Sequence, residues 1–407
     1  MPVNTVAVIG GGASGIMAAL TAAKDKNNKV ILLERQQRLG RKLLATGNGR
    51  CNLTNTGASA ENYHGEHPEF AVPALSAFTP DHTLRFFRGL GLLTTEEYGG
   101  RVYPLSQSAN SVVDVLRFAV ERSGIELRTS TPVREIRRRY EGFTLVTDGG
   151  NIDTDYVIMA CGGAAGAKLG GVMDGYELLK PLGHKRTSLY PALVQVVTDP
   201  EYPRALKGVR ADAHLRLMAG DELLAESVGE LQFTENGVSG PAVFDISRTA
   251  AVMGAGLRLK ADFLRDYSED DVLELLKTRR AALPQLEASE LFTGAVHNRL
   301  GRMLVKYAGI SSSVPVSSLS DEQLYVAARA SKSFELKIKG TEGFDSAQVT
   351  AGGIKTTGIN PETMESWFVP HLFVCGELLD VDGDCGGYNL QWAWASGHLA
   401  GKLGNIG

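Results

Sequence analysis

The sequence is sparing with cysteine, and no two of its cysteines stand close together. Cys51, Cys161, Cys375 and Cys385 form no C-x-x-C pair, so neither a disulfide framework nor a zinc site is indicated. No group of His, Cys and carboxylate residues has metal-ligand spacing. No apolar run approaches the roughly 20 residues of a membrane span. The first residues, MPVNTVAVIGGG, lack the basic start and cleavage pattern of a secretory signal. These absences point to a reducing cytoplasm. The net charge of −4 makes no electrostatic case for a nucleic-acid or membrane partner. One sharp basic run, VREIRRR at 133–139, reads as a solvated strand face, with a phosphate site as the alternative. No internal repeat, low-complexity tract or flexible linker interrupts the 407 residues, a length that suits two or three domains.

Glycine, by contrast, is abundant: 47 residues, which suggests tight turns and close approaches of backbone to ligand. TVAVIGGGASGIMAALTAA reads as a buried strand, a glycine turn and a small-residue helix. Gly10, Gly12 and Gly15 fit G-x-G-x-x-G: the first for the tight turn, the second for backbone approach to a pyrophosphate, the third for helix-on-sheet packing. Ala13 and Ser14 open the helix, whose free N–H groups face the phosphates. The next strand, KVILLER, ends at Glu34 with Arg35 beside it, 19 residues after Gly15. A carboxylate there can accept both ribose hydroxyls of an adenosine. The motif alone does not choose between NAD and FAD.

Later segments favour FAD. A returning strand places the backbone of Val133 near an adenine, and a meander (VREIRRRY, GFTLVTD, DYVIMACGG) ends in Gly162 and Gly163, where a ligand or helix comes close. Near the far end, LFVCGE puts Glu377 where a carboxylate can accept ribityl hydroxyls. GGYNLQWAWASGHLAG starts a helix whose amides near Tyr388, Asn389 and Leu390 can face the pyrimidine edge of an isoalloxazine, which turns anionic on reduction. The irregular stretch GRKLLATGNGRCNLTN at 40–55 then supplies a second wall. Its Gly47, Asn48 and Gly49 can take positive φ and lay bare backbone along a flat ring. Arg41, Lys42 or Arg50 can balance the pyrophosphate or the reduced ring, and Cys51, next to Asn52, reads as a small buried thiol more readily than a redox one.

GRKLLATGNGRCNLTN, GRVYPLSQSA, GELQFTENGVSGPAV, VTAGGI and GELLDVDGDCGGYNLQWAWASG together resemble a family of bacterial FAD-dependent oxidoreductases, that of the aminoacetone oxidase and 3-dehydro-bile acid Δ4,6-reductase-like flavoproteins. The resemblance runs from about residue 4 to residue 403. It implies an α/β, glutathione-reductase-like Rossmann FAD domain split by an inserted β-barrel plus helical domain. It also implies FAD contacts at Ser14, Glu34, the 41–52 loop, Val133, Glu377 and the 388–390 turn. One position departs: where family members often carry a histidine within GELQFTENGVSGP, this chain has Glu235.

The expected division is an FAD-binding domain at 1–188 and 347–407 around an insert at 189–346, with a barrel at about 189–264 and helices at about 265–330. Short alternating runs such as ALVQVVTD, GELQFTE and AGLRLKADFL suit a small barrel, while SEDDVLELLKTRRAAL opens with Ser268 as N-cap. SFELKIKG is expected to return by strands to the FAD domain, and the insert to cap the flavin. Tyr190, Glu235, Arg101 and Tyr103 are candidates for orienting a substrate, each with an ordinary structural reading beside it. The leading expectation is hydride reduction of a C=C bond conjugated to a ketone, in a steroid or bile-acid-like small molecule. No second G-x-G-x-x-G exists, so NAD(P)H would bind as a transient electron donor or not at all. The alternatives are an amine or aminoketone oxidase that makes peroxide, and a non-catalytic binding protein stabilised by FAD.

Overall fold

The computed structural model describes residues 4–405, and its contacts divide the chain into two compact units. One comprises the chain up to Tyr190 and again from Ala347; the other is Pro191–Ser346.

The first unit is built on a five-stranded parallel sheet, in the order Leu372–Val374, Tyr156–Met159, Asn4–Ile9, Asn28–Leu33 and Glu126–Arg128. Val6, Val8, Leu32, Val157, Ile158 and Leu372 have no exposed surface, as strands covered on both faces require. DYVIMACGG, expected as the third strand of the meander, joins the parallel sheet as Tyr156–Met159, while the first two strands, Val133–Arg138 and Phe143–Thr147, form a separate antiparallel sheet whose third strand is Gly150–Thr154. Its arginines settle the reading of the basic run. Arg134 pairs with Asp148 at 2.8 Å, Arg137 with Glu135 at 2.7 Å and Arg139 with Asp153 at 3.0 Å, all exposed. The run is a solvated face.

Two helices from opposite ends of the sequence cross in this unit. Ala13–Ala22 follows the first strand, and Tyr388–Gly401 packs on it through glycine. A Cβ on Gly397 would lie 2.3 Å from the Ser14 carbonyl oxygen, and one on Gly401 would lie 2.5 Å from that of Ala18. Backbone meets backbone there, an approach that larger side chains forbid. From Gln391 to Gly401 only His398 keeps partial exposure. Such a helix needs partners for its polar groups. Trp392 Nε1 donates to Gly376 O at 3.1 Å and Trp394 Nε1 to Leu53 O at 2.9 Å. Gln391 accepts from the hydroxyls of Thr54 and Thr83 at 2.7 and 2.8 Å and donates to Phe78 O at 2.6 Å.

The second unit contains a closed six-stranded antiparallel barrel: Val196–Thr198, Gly237–Ser239, Glu222–Phe233, Arg210–Ala219, Arg258–Asp262 and Phe334–Thr341. The expected fold class, a Rossmann-type unit interrupted by an inserted barrel with helices, is the one observed. One element differs. SFELKIKG, expected to lead back to the first unit, is the strand that closes the barrel, beyond the 189–264 span expected for it. Its inward residues Phe334, Leu336 and Ile338 alternate as any half-buried strand does, and alternation alone does not say which sheet receives it. A helix at Pro241–Met253, not foreseen, buries Ala242, Val243, Ile246 and Ala250 at helical spacing. Helix Glu269–Ala282 begins, as expected, at a Ser268 capping box. Among the described residues no helix is long and apolar enough to cross a membrane.

Two predictions follow from this packing. Gly397→Ala should cost about 1–3 kcal/mol by overpacking, whereas Gly89→Ala, where nothing lies within 4 Å, should be neutral or slightly stabilising; thermal melts of both variants test this. Burial pushes the His184 and His398 imidazoles down to about 4. The unfolded chain, with an ordinary value of about 6.5, binds protons first, so this contribution is complete above that value and is lost as pH falls toward 4. The urea midpoint should therefore be lower at pH 5 than at pH 7.5, with a smaller difference in His184→Gln.

Candidate functional site

The glycines after the first strand are there for different reasons. Gly10 has φ +115°, and a Cβ on it would strike Ala160 O at 2.3 Å; one on Gly15 would sit 1.8 Å from Gly10 O. The protein itself demands those two. Gly12 is different: its φ is −84°, and no atom lies within 4 Å of where its Cβ would be. The gap stands at the N-terminus of helix Ala13–Ala22, which no side chain caps. The first-turn amides have no intrahelical acceptors and carry the positive end of the helix dipole. This is a cradle that a Cβ would fill, suited to an anionic group.

Glu34, almost fully buried, takes the N–H groups of Gly11 at 2.7 Å and Gln36 at 2.6 Å, which orient its carboxylate beside that cradle. Arg35 pairs with Asp174 at 3.2 Å. Val133 is buried at the start of its strand. Gly162, with φ +74°, has open space at its Cβ position, whereas a Cβ on Gly163 would meet Thr350 Oγ1 at 2.4 Å.

The 41–52 loop takes left-handed backbone at Gly47, Asn48, Gly49 and Cys51, with φ of 56°, 56°, 83° and 63°. Its cations are not equivalent. Lys42 Nζ lies 2.6 Å from Glu377 Oε2. Arg50 bonds Glu97 and Gln107, each at 3.0 Å, and lies 4.0 Å over the Tyr103 ring. Arg41 donates to Gln36 Oε1 at 2.8 Å and, among the described residues, is the one of the three without a carboxylate. Burial pushes the Cys51 thiol up to about 12, which makes it a packing residue and a poor nucleophile. Asn52 is buried, its Oδ1 accepting from Val102 N at 3.2 Å. Glu377, assigned from sequence to ribityl hydroxyls, has one oxygen on Lys42 and the other on the Thr350 amide at 2.9 Å.

Gly386 and Gly387, at φ +145° and +103°, lead into helix Tyr388–Gly401, which also starts without a side-chain cap. Elsewhere Thr79, Ser268 and Ser320 close their helices with capping boxes. A Cβ on Gly387 would meet Thr54 O at 2.5 Å and Asn52 Oδ1 at 2.8 Å, so the loop and the helix tip are in contact. The Asn389 side chain turns back, accepting from Gly383 N at 2.9 Å and donating to Gly383 O at 2.7 Å. Tyr388, Asn389 and Leu390 form the first turn at the tip.

Arg101 stands beside this tip, its Nε 3.5 Å from where a Gly386 Cβ would be. It is half-buried; its backbone pairs with Asn55 and Glu97 in a strand ladder, and its guanidinium makes no ion pair or hydrogen bond among the described residues. Burial raises the Tyr103 hydroxyl above its ordinary value, against the pull of Arg50 and Arg101. Tyr190 is half-buried at the start of strand Tyr190–Ala192. Glu235, in the second unit, is exposed and paired with Lys207 at 2.8 Å, a bond that holds its carboxyl below the usual range. That is the setting of a surface ion pair. Sequence reasoning missed His64, whose Nε2 is 2.7 Å from Asp384 Oδ1, with Asn62 Nδ2 3.1 Å from the other oxygen. No motif contains His64, and its partner is 320 positions away.

The donor set fits an FAD: an open cradle at one bare helix tip, an oriented acid beside it, a bare second tip and a left-handed loop for a flat ring. Residues 4–403 match the family described as HI0933-like protein Rossmann domain. The chain is 42% identical over 403 residues to the 3-dehydro-bile acid delta(4,6)-reductase of Clostridium scindens, covering 98% of each. It is 30% identical over 398 residues to the ribosomal RNA dihydrouridine synthase of Escherichia coli, covering 96% of this chain and 95% of that one. A solved structure of 3-ketosteroid delta1-dehydrogenase from Sterolibacterium denitrificans shares the fold, with a TM-score of 0.50 at 13% identity over 98% of this chain and 99% of that one.

Gly12→Ala separates the cradle from the fold. The variant should melt with the wild type, because its Cβ meets nothing in the protein, yet bind FAD at least about tenfold more weakly, since the methyl occupies the place of backbone approach. Equilibrium dialysis of FAD beside a thermal melt checks both halves.

Proposed function

This chain belongs to the HI0933-like Rossmann family, and from that premise we propose that it is an FAD-dependent reductase of a carbon–carbon double bond conjugated to a carbonyl, acting on a steroid or bile-acid-like ketone. The names of both relatives describe saturation of such a bond: a steroid Δ4,6 system next to a 3-ketone in one, the uracil ring in the other. FAD, when bound, supplies hydride to the β-carbon.

The chain's own residues have three tasks. The amides of Tyr388, Asn389 and Leu390, at an uncapped helix start, favour negative charge at the ring edge they face. The Lys42–Glu377 pair and the left-handed loop hold the ring's surroundings rigid. Arg101 binds the carbonyl oxygen of the acceptor, where negative charge develops as the β-carbon is reduced, with the Tyr103 hydroxyl as a second donor. The observation that carries this reading is Arg101 itself: a half-buried guanidinium with no ion pair or hydrogen bond among the described residues, at the helix tip.

The higher identity to the bile-acid enzyme and the net charge of −4 favour a small molecule over an RNA, whose phosphates call for a basic surface. With one glycine fingerprint taken by FAD, NAD(P)H visits transiently as the electron donor, in the cytoplasm where it is available.

Anaerobic stopped-flow mixing tests the proposal. The reduced enzyme should be reoxidised within seconds by a steroidal 4-en-3-one and slowly by oxygen or by uridine-containing RNA. Rapid reoxidation by oxygen alone would sink it in favour of an oxidase. Arg101→Met should raise KM and lower kcat/KM by about 10²-fold, the loss of one preorganised donor to a developing oxyanion.

A further inference from the structure

We propose that His64, oriented by Asp384, is the acid that completes the reduction by protonating the α-carbon of the substrate; this step rests on the conjugate-reduction reading above. Reducing the β-carbon with hydride leaves an enolate, and an enolate needs a proton at its α-carbon. His64 is one of eight histidines. His184 and His398 are packed against Phe368 and Phe78 and held neutral by burial. His82 and His297 cap helices, and His371 stacks on Tyr156. His67 and His214 touch carboxylates that are mostly exposed. His64 alone combines a carboxylate partner with direct attachment to the helix tip.

That attachment is structural and short. Strand Tyr63–His64 pairs with strand Asp382–Gly383, with Asp382 opposite His64 and Gly383 opposite Tyr63. Asp384 N donates to Asn62 O at 3.0 Å, and the Tyr63 hydroxyl donates to Tyr388 O at 3.0 Å. Asn389, in the first turn of the helix, donates to the carbonyls of Gly383 and Asp384 at 2.7 and 3.3 Å. The dyad is therefore tied to the tip by backbone and side-chain hydrogen bonds. The side chains of His64 and Asp384 are 37% and 30% exposed, open enough to reach a bound molecule. The other charged groups around His64 are Asp382 across the ladder, Asp380, which takes the Glu66 N–H at 3.0 Å, and Glu66, which is bonded to Lys355 at 2.8 Å.

Asp384 engages Nε2, so Nδ1 is the nitrogen that presents the mobile proton. The Nδ1–H bond breaks as the α-carbon–hydrogen bond forms, and the enolate electron pair becomes that new bond while the ketone is restored. The neutral ring keeps its Nε2–H on Asp384, and Nδ1 recovers a proton from water. One hydride and one proton have then been added across one double bond, with no redox change in the protein.

The test uses the full-length FAD-loaded enzyme with His64→Gln and His64→Ala, and has two arms. In the first, both variants should retain FAD and the wild-type KM within about threefold, while substrate-driven reoxidation slows by about 10²–10³-fold, the usual worth of a positioned acid. Imidazole should restore part of the rate in His64→Ala, and the rate–pH profile should lose one ionisation in His64→Gln. In the second arm, long-range ¹H–¹⁵N spectra without substrate should show His64 protonated at Nε2, and Asp384→Asn should perturb that ring. Variants that react within about twofold of wild type, or a His64 ring bare at Nε2, would overturn the assignment. A wild-type enzyme that no enone reoxidises would instead overturn the conjugate-reduction reading, and this step with it.

Discussion

The contact of Gly397 and Gly401 with the carbonyls of Ser14 and Ala18 governs the rest of the first unit. Side chains of ordinary size would hold the two helices several ångströms further apart, because helix axes separate with the bulk at their crossing. Close crossing fixes the register of two helices that arise at opposite ends of the sequence, one starting after Gly12 and one after Gly387. Both starts lack side-chain caps, and both are entered through glycine. The polar groups that such burial strands are collected by Gln391, Trp392 and Trp394, each of which bonds a different segment to the C-terminal helix. Apolar side chains at those three positions could match the burial but not those bonds to Phe78, Gly376 and Leu53.

Charge in the unit is distributed by the same economy. Lys42 and Arg50 have carboxylate partners, the basic meander is neutralised at its surface, and the thiols of Cys51, Cys161 and Cys375 are held protonated by burial. Arg101 is the exception beside the helix tip, and an unpaired guanidinium in a half-buried place has a reason to find an oxygen outside the protein.

What the sequence disclosed and what it withheld divide by range. The strand, glycine turn and helix at residues 4–22 are local, and each residue type states its own backbone requirement. The left-handed Gly47, Asn48 and Gly49 of the 41–52 loop were legible for the same reason, because Gly and Asn tolerate that conformation, whereas the left-handed Cys51 was not. Lys42 against Glu377 and His64 against Asp384 were not legible: the partners are 335 and 320 positions apart, and only the sheet brings them together. The Phe334–Thr341 strand shows the same limit, since its alternation declares a half-buried strand but not the neighbour it joins. Helix Pro241–Met253 carried a local signal, a proline at its first position before apolar residues at helical spacing, which lay hidden inside a run of short strands. Of the chemistry, the dinucleotide cradle could be read from residue types, whereas the pairing state of each cation could not.

The division of the first unit by the second sets an order of events on the ribosome. Pro191–Ser346 is one unbroken stretch and can close its barrel as soon as Phe334–Thr341 leaves the exit tunnel. The first unit, begun earlier, must wait: its edge strand Leu372–Val374 and the helix Tyr388–Gly401 are translated only after the whole second unit. Until then Ala13–Ala22 has no glycine surface to lie against. The unit started first is thus the last to be finished, and the nascent chain must shield that bare helix for most of its own synthesis.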